Sequence, residues 1–276
     1  SLGLVGSEMC IRDSLTMGDY DFIIAGGGTA GCILANRLSA DGRHRVLMLE
    51  AGHEARSMWI GIPAGFSKLL VNPDYNWRFA TEPEDNVQGR IIAVPRGKGV
   101  GGSTLINGMI YVRGQPADYD GWEAAGATGW GYGQAERVFR KIEHYEPGDA
   151  TRGKNGPMHL EEVAERFPVS DAFLRAAQED GLPLNPDYNG GKQDGVGYYQ
   201  VLQHRGRRWS VVDGYLKPAA GRKNLTVECG AYVTRLLFEG QRCVGVAYRQ
   251  NGREFTVRAR RETLVCLGAV QSPQLL

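Results

Sequence analysis

The stretch Asp19–Gly31, DYDFIIAGGGTAG, constrains this chain more than any other. Phe22, Ile23, Ile24 and Ala25 form a short apolar run, and its length and Gly-rich stop predict a buried parallel strand. Gly26, Gly28 and Gly31 then spell G-x-G-x-x-G. Thr29 to Ser39 reads as a helix, with Ala30, Ile33, Leu34 and Leu38 offering an apolar face. The glycines therefore fall at a strand-to-helix turn. Gly26 allows the tight turn, Gly28 lets backbone approach a pyrophosphate, and Gly31 lets helix pack on strand. The helix start, Thr29, Ala30 and Gly31, presents free N–H groups to a diphosphate. Arg45–Leu49 reads as a second strand closed by Glu50. That acid sits about twenty residues past the glycines, where a carboxylate accepts hydrogen bonds from an adenosine ribose. In register, these features predict a dinucleotide-binding α/β domain. They do not choose between dinucleotides, and the glycines alone fit NAD and FAD equally well.

A second glycine-dense block runs from Pro95 to Gly114, PRGKGVGGSTLINGMIYVRG. Its glycines exclude a regular helix through the first half. Gly101, Gly102, Ser103, Thr104, Asn107 and Gly108 combine short polar side chains with backbone N–H groups, which suits a loop wrapped on a diphosphate or a polar planar ligand. Arg96 and Lys98 offer positive charge beside it. It is not a Walker loop, because no Gly-Lys-Ser/Thr follows at the required spacing.

The remaining pattern divides the chain. Gly133–Tyr145 reads as an amphipathic helix with Ala135, Val138, Phe139 and Ile142 on one side. A polar, Gly-rich stretch from Pro147 to Pro157 marks a boundary. Met158–Val163 and Val196–Gln203 read as strands. Ser170 caps a helix through Asp180, with Phe173, Leu174 and Ala177 inward. Leu225–Leu267 reads as a β-meander whose Asn251-Gly252 is a hairpin turn.

With 32 basic and 31 acidic residues, the net charge of +1 gives no electrostatic reason to expect nucleic acid. No apolar run is long enough for a transmembrane segment. Five cysteines without a C-x-x-C argue against a disulfide framework or a zinc site, and fit a cytoplasmic, reducing location. Ser1–Thr16 lacks the basic start and apolar core of a secretory signal, and is expected to be a non-native or disordered leader ahead of Met17.

Three of these stretches together resemble the glucose–methanol–choline (GMC) oxidoreductase family, most closely its choline dehydrogenase-like branch. They are Asp19–Gly52, Pro95–Trp122 (PRGKGVGGSTLINGMIYVRGQPADYDGW) and Gly268–Leu276 (GAVQSPQLL). Thr81–Asp85 and Asn224–Gly240 add support. The resemblance implies an α/β fold: a Rossmann-like FAD-binding domain with an inserted β-meander, plus part of an α+β substrate-binding domain. On that pattern residues 17–150 open the FAD-binding domain, 151–217 belong to the substrate-binding domain and 218–276 continue the first.

The resemblance also implies chemistry: oxidation of a small-molecule alcohol to a carbonyl by hydride transfer to flavin N5, with an unspecified electron acceptor. Gly26, Gly28, Thr29, Ala30 and Gly31 are expected at the pyrophosphate and Glu50 at the ribose. Gly101, Gly102, Ser103, Asn107 and Gly108 are expected against the diphosphate and flavin. Val233 is expected to meet the adenine through its backbone, and Gly268 and Ala269 to return the chain to the cofactor. Ile106 stands where some members carry the histidine that attaches FAD, so non-covalent FAD is expected. The family's catalytic His–His or His–Asn pair lies beyond its second signature, hence beyond Leu276. No metal is expected. His44, His53, His144, His159 and His204 look scattered in loops and on surfaces, none placed to replace that base. Two other readings stay open: an NAD-dependent dehydrogenase, and a nucleotide-binding module without chemistry.

Overall fold

The structure is a computed structural model and describes residues 15–16 and 20–276. The expected leader falls almost wholly outside the described residues; Leu15–Thr16 form a two-residue strand. The chain divides into two compact units. One comprises the described residues as far as Glu54, with Lys98–Gly102 and Ala219–Leu276, the other Ala55–Gly97 and Ser103–Pro218.

The first unit is built on one sheet. Its strands are β1 (Leu15–Thr16), β2 (Tyr20–Ala25), β3 (Val46–Glu50), β4 (Leu225–Cys229), β5 (Tyr232–Glu239), β6 (Arg242–Gln250) and β7 (Arg253–Val265). The order is β4-β3-β2-β7-β6-β5, with β1 also beside β7. β4, β3, β2 and β7 run parallel to one another, while β5, β6 and β7 form an antiparallel meander. The meander is smaller than the sequence reading drew it. Leu225–Cys229 leaves it and becomes the parallel edge against β3. The preceding residues explain why. Arg222 donates to Asn36 O and Ser39 Oγ, and Asn224 Nδ2 to Ser39 O and His44 O, so the start of β4 is tied to the loop that feeds β3.

After the Asn251-Gly252 turn the chain runs as one long strand, Arg253–Val265. β7 pairs with β6 up to Arg258 and with β2 from Ala259, with a register shift between Ala259 and Glu262. A bulge there re-aims the strand, so a single strand serves both halves of the sheet.

Strand alternation sets the core. Ile23 and Ala25, with Leu47 and Leu49, face a cluster that includes Val233, Val246, Tyr248 and Val257. On the opposite face Ile24 meets helix α1 (Thr29–Leu38) beside Gly31. The buried stripe of α1 is Gly31, Cys32, Ala35 and Asn36, and Ala30 is exposed. This shifts the expected apolar face, because close packing at Gly31 favours small residues over Ile33 and Leu34.

The second unit holds the helices Pro116–Ala124, Tyr132–Ile142 and Pro168–Glu179. The last begins with Pro168 in its first turn rather than at Ser170. Phe173 and Val138, expected inward, are exposed, whereas Leu174, Ala177 and Phe139 are half-buried. The unit is tied internally by a buried charge network. The Glu143 carboxylate accepts from Arg113, Arg152 and the Gly153 N–H, and Arg152 also reaches Asp187 and Gln200. Removing one member of such a set strands its partner's charge.

Candidate cofactor site

In the first unit, three loops meet at the carboxyl end of β3. Gly26 turns with φ +103°, and a Cβ there would come 2.4 Å from Cys266 O. A Cβ on Gly31 would come 1.9 Å from Gly26 O. Both positions are glycine because the fold leaves no room. Gly28 differs. Its φ is −75°, open to any residue, and its nearest neighbour to a Cβ is Gly102 Cα at 4.0 Å. Space therefore lies over Gly28, directly before the start of α1. That helix start carries no side-chain cap, and Thr29 and Ala30 are exposed. Its first N–H groups are the unpaired donors every helix start leaves, with the positive end of the helix dipole behind them.

Glu50 clasps the loops together. Oε2 accepts from Gly27 N at 2.8 Å, and Oε1 from Gly52 N at 2.8 Å and Gly99 N at 3.0 Å. The residue is 7% exposed. A carboxylate offers about four acceptor positions, so about one remains for a ribose hydroxyl. The sequence reading missed the clasp: Gly27, Gly52 and Gly99 carry no side-chain signal, although the Gly-Gly-Gly run and the Gly after Glu50 mark close backbone approaches. A Cβ on Gly52 would lie 2.4 Å from Gly99 N.

Lys98–Gly102 crosses back over the first turn. Gly101 N donates to Gly27 O at 2.8 Å, Gly102 N to Gly99 O at 2.8 Å, and Val100 N to His53 O at 3.0 Å. These N–H groups were read from the sequence as exposed to a ligand. They are instead spent on backbone carbonyls, Gly102 N within the loop and Gly101 N and Val100 N on Gly27 and His53, as buried backbone requires. Gly230 N and Ala231 N donate to Gly52 O and Glu50 O, which brings the approach to Val233 past the end of β3. Cys266 N donates to Ala25 O, so exposed Gly268 and Ala269 follow directly beyond Gly26.

In the second unit, Ser103 O accepts from Ile106 N and Asn107 N, forming one helical turn. Leu105 and Ile106 are buried in a cluster with Ile60 and Leu69, which leaves Ser103, Asn107 and Gly108 on the exposed side.

The histidines are less scattered than the sequence suggested. His159 stacks between His144 and His204, with ring centroids 4.4 and 4.2 Å away, and Trp209 abuts both His159 and His204. Their positions are far apart in sequence, so no local pattern reveals the stack. Burial, then His204 and His144, holds the His159 imidazole below its usual range. His44 meets Phe22 edge-on.

Cys32 lies under the first turn, its Sγ 3.2 Å from Gly27 O, and burial followed by the Glu50 charge pushes its thiol up to about 12. Nucleophilic attack needs the thiolate. Iodoacetamide at pH 8 should therefore leave Cys32 unmodified in the native chain and label it in urea, as read by peptide mass spectrometry. Native labelling at the unfolded rate would contradict this placement.

No helix among the described residues is long and apolar enough to cross a membrane. Among them, no group of three or more His, Cys, Asp or Glu side chains is arranged to hold a metal.

The sequence profile of the GMC oxidoreductase family matches residues 20–276. The chain belongs to the GMC oxidoreductase family. Among GMC relatives, it is 41% identical to mitochondrial choline dehydrogenase of Homo sapiens, an alignment covering 100% of this chain and 47% of that protein. The pyridoxine 4-oxidase structure from Mesorbium loti matches with a TM-score of 0.88 at 36% identity, covering 92% of this chain and 50% of that one. An FAD-dependent oxidoreductase from Chaetomium thermophilum matches with a TM-score of 0.86 at 31% identity, covering 93% and 47%. The chain thus spans about half the length of the GMC relatives it matches.

Proposed function

We propose that the chain binds FAD without a covalent bond and forms the cofactor-holding part of an enzyme that oxidises a small alcohol. The observation that carries the reading is the open space over Gly28 in front of an uncapped helix start. Gly28, Thr29, Ala30 and Gly31 would hold the diphosphate, Glu50 the ribose through its remaining acceptor position, and Val233 the adenine. Ser103, Asn107 and Gly108 present donors and an open backbone to the flavin, and Gly101, Gly102, Gly268 and Ala269 line the approach. FAD, when bound, accepts the hydride that leaves the alcohol carbon. Choline dehydrogenase among the relatives and a pyridoxine oxidase among the structures support a hydroxyl-bearing substrate.

The alcohol proton needs a base, and by this reading none of the described histidines supplies it. His144, His159 and His204 pack on one another and Trp209. The base is supplied from outside residues 20–276. General bases of this kind contribute about 10²–10⁴-fold, so the FAD-loaded chain should reduce an electron-accepting dye with choline no faster than without it. Steady choline-dependent reduction would place the base within these residues. Acid precipitation of the loaded chain should leave the yellow colour in the supernatant, since Ile106 offers no nucleophile and is buried at 2% exposure; colour in the pellet would show a covalent bond. Among the described residues Cys32, Cys229, Cys243 and Cys266 are free thiols, in keeping with a reducing location, cytoplasmic or inside an organelle.

A further inference from the structure

Arg208 is 4% exposed, yet its four hydrogen-bond acceptors include no carboxylate. Nε donates to Ile60 O at 3.0 Å, Nη1 to Thr104 O at 3.1 Å and to Asn107 Oδ1 at 2.7 Å, and Nη2 to Asn107 O at 2.8 Å. Buried charges are ordinarily paired. Burial lowers this guanidinium to about 10, which still leaves it protonated at neutral pH. So costly a placement calls for a function that neutral residues would not serve.

Half of those bonds go to Asn107. Its Oδ1 also accepts from Met109 N at 3.2 Å, and Met109 is held at φ +64°, an unfavourable backbone for a long side chain. Two donors thus converge on one end of the amide. The amide group is not symmetric, and only its oxygen can face two donors. The NH₂ must then point the other way, and Asn107 is exposed.

We propose that Arg208 is a positioning residue that fixes the Asn107 amide with its NH₂ outward, as a hydrogen-bond donor to the flavin. The inference rests on the reading that Asn107 lies against that ring. The planar fork is what the task needs: it spans carbonyls from Ile60, Thr104 and Asn107 at once, which the point charge of a lysine does not.

The test uses the 276-residue chain loaded with FAD. The readouts are the visible spectrum of bound flavin, FAD affinity and Tm. Arg208→Lys keeps the charge and loses the fork. Asn107→Ala removes the donor. Each should shift the bound-flavin bands in the same direction and raise the FAD Kd about tenfold, the effect of one lost hydrogen bond. The double variant should go no further than either single one, because both remove the same contact. Asn107→Asp guards against a folding defect. It keeps oxygens for Arg208 and Met109 N but cannot donate outward, so it should shift the spectrum at unchanged Tm. A wild-type flavin spectrum in Arg208→Lys, or multiplying effects in the double variant, would overturn the proposal, as would an unshifted Asn107→Asp. Failure of the wild-type chain to bind FAD is a separate result: it removes the flavin reading itself.

Discussion

Glu50→Ala is expected to lower the Tm of the chain by about 10 °C and to reduce FAD affinity at least tenfold. The carboxylate satisfies Gly27, Gly52 and Gly99 N–H groups at once, at a position 7% exposed. An alanine leaves all three buried donors without their acceptor. Each such loss costs about 1–3 kcal/mol, and water entering the vacated space recovers part, which leaves on the order of 3–6 kcal/mol. For a domain of this size, each kcal/mol moves the Tm about 2–4 °C. The affinity loss has two sources: the ribose acceptor goes, and the loops carrying Gly28 and Gly102 are no longer clasped. Glu54→Ala, at an exposed position on the same loop, should change neither quantity. Thermal unfolding with and without FAD reads both effects. An unchanged Tm in Glu50→Ala would show that the clasp is not needed, and unchanged affinity would remove Glu50 from the site.

Gly28→Ala and Gly31→Ala should part company in the same assay. At Gly31 a Cβ would sit 1.9 Å from the carbonyl oxygen of Gly26, and backbone cannot step aside without moving α1 off the sheet. Destabilisation above about 3 kcal/mol follows. At Gly28 a Cβ meets nothing nearer than 4.0 Å and φ is −75°. Alanine is slightly poorer than glycine at a helix N-cap, and it reduces the freedom of the unfolded chain, so the net change stays within about 1 kcal/mol. Yet that methyl fills the space assigned to the diphosphate. Overpacking a close contact costs about 1–3 kcal/mol, hence a 10- to 100-fold weaker FAD complex. Gly28→Ala with normal Tm and normal FAD affinity would show that the space over Gly28 is not the cradle.

The strand, the glycine turn, α1 and β3 were legible in the sequence because their pattern is local: an apolar run, three spaced glycines and a terminal acid within about thirty residues. What escaped was non-local. Lys98–Gly102 returns to Gly27 across more than seventy residues, and its Gly101, Val100 and Gly102 N–H groups are spent on backbone carbonyls of Gly27, His53 and Gly99. Leu225–Cys229 looks like any meander strand, and only the Arg222 and Asn224 bonds to the 36–44 segment make it a parallel edge. Phe173 followed helical periodicity, which says that a stripe exists and not which neighbours cover it. Arg208 lies in the basic run Arg205–Arg208 and nothing in its sequence separates it from exposed Arg207. Its partners at Ile60, Thr104 and Asn107 are more than one hundred residues away.

The central claim, that these loops form an FAD cradle, is tested most directly by calorimetric titration of the purified chain with FAD and, separately, with NAD. The account predicts saturable one-to-one binding of FAD that excess NAD does not displace, and that Gly28→Ala weakens at unchanged Tm. Saturable binding of NAD with no heat from FAD, or no binding of either, would contradict it.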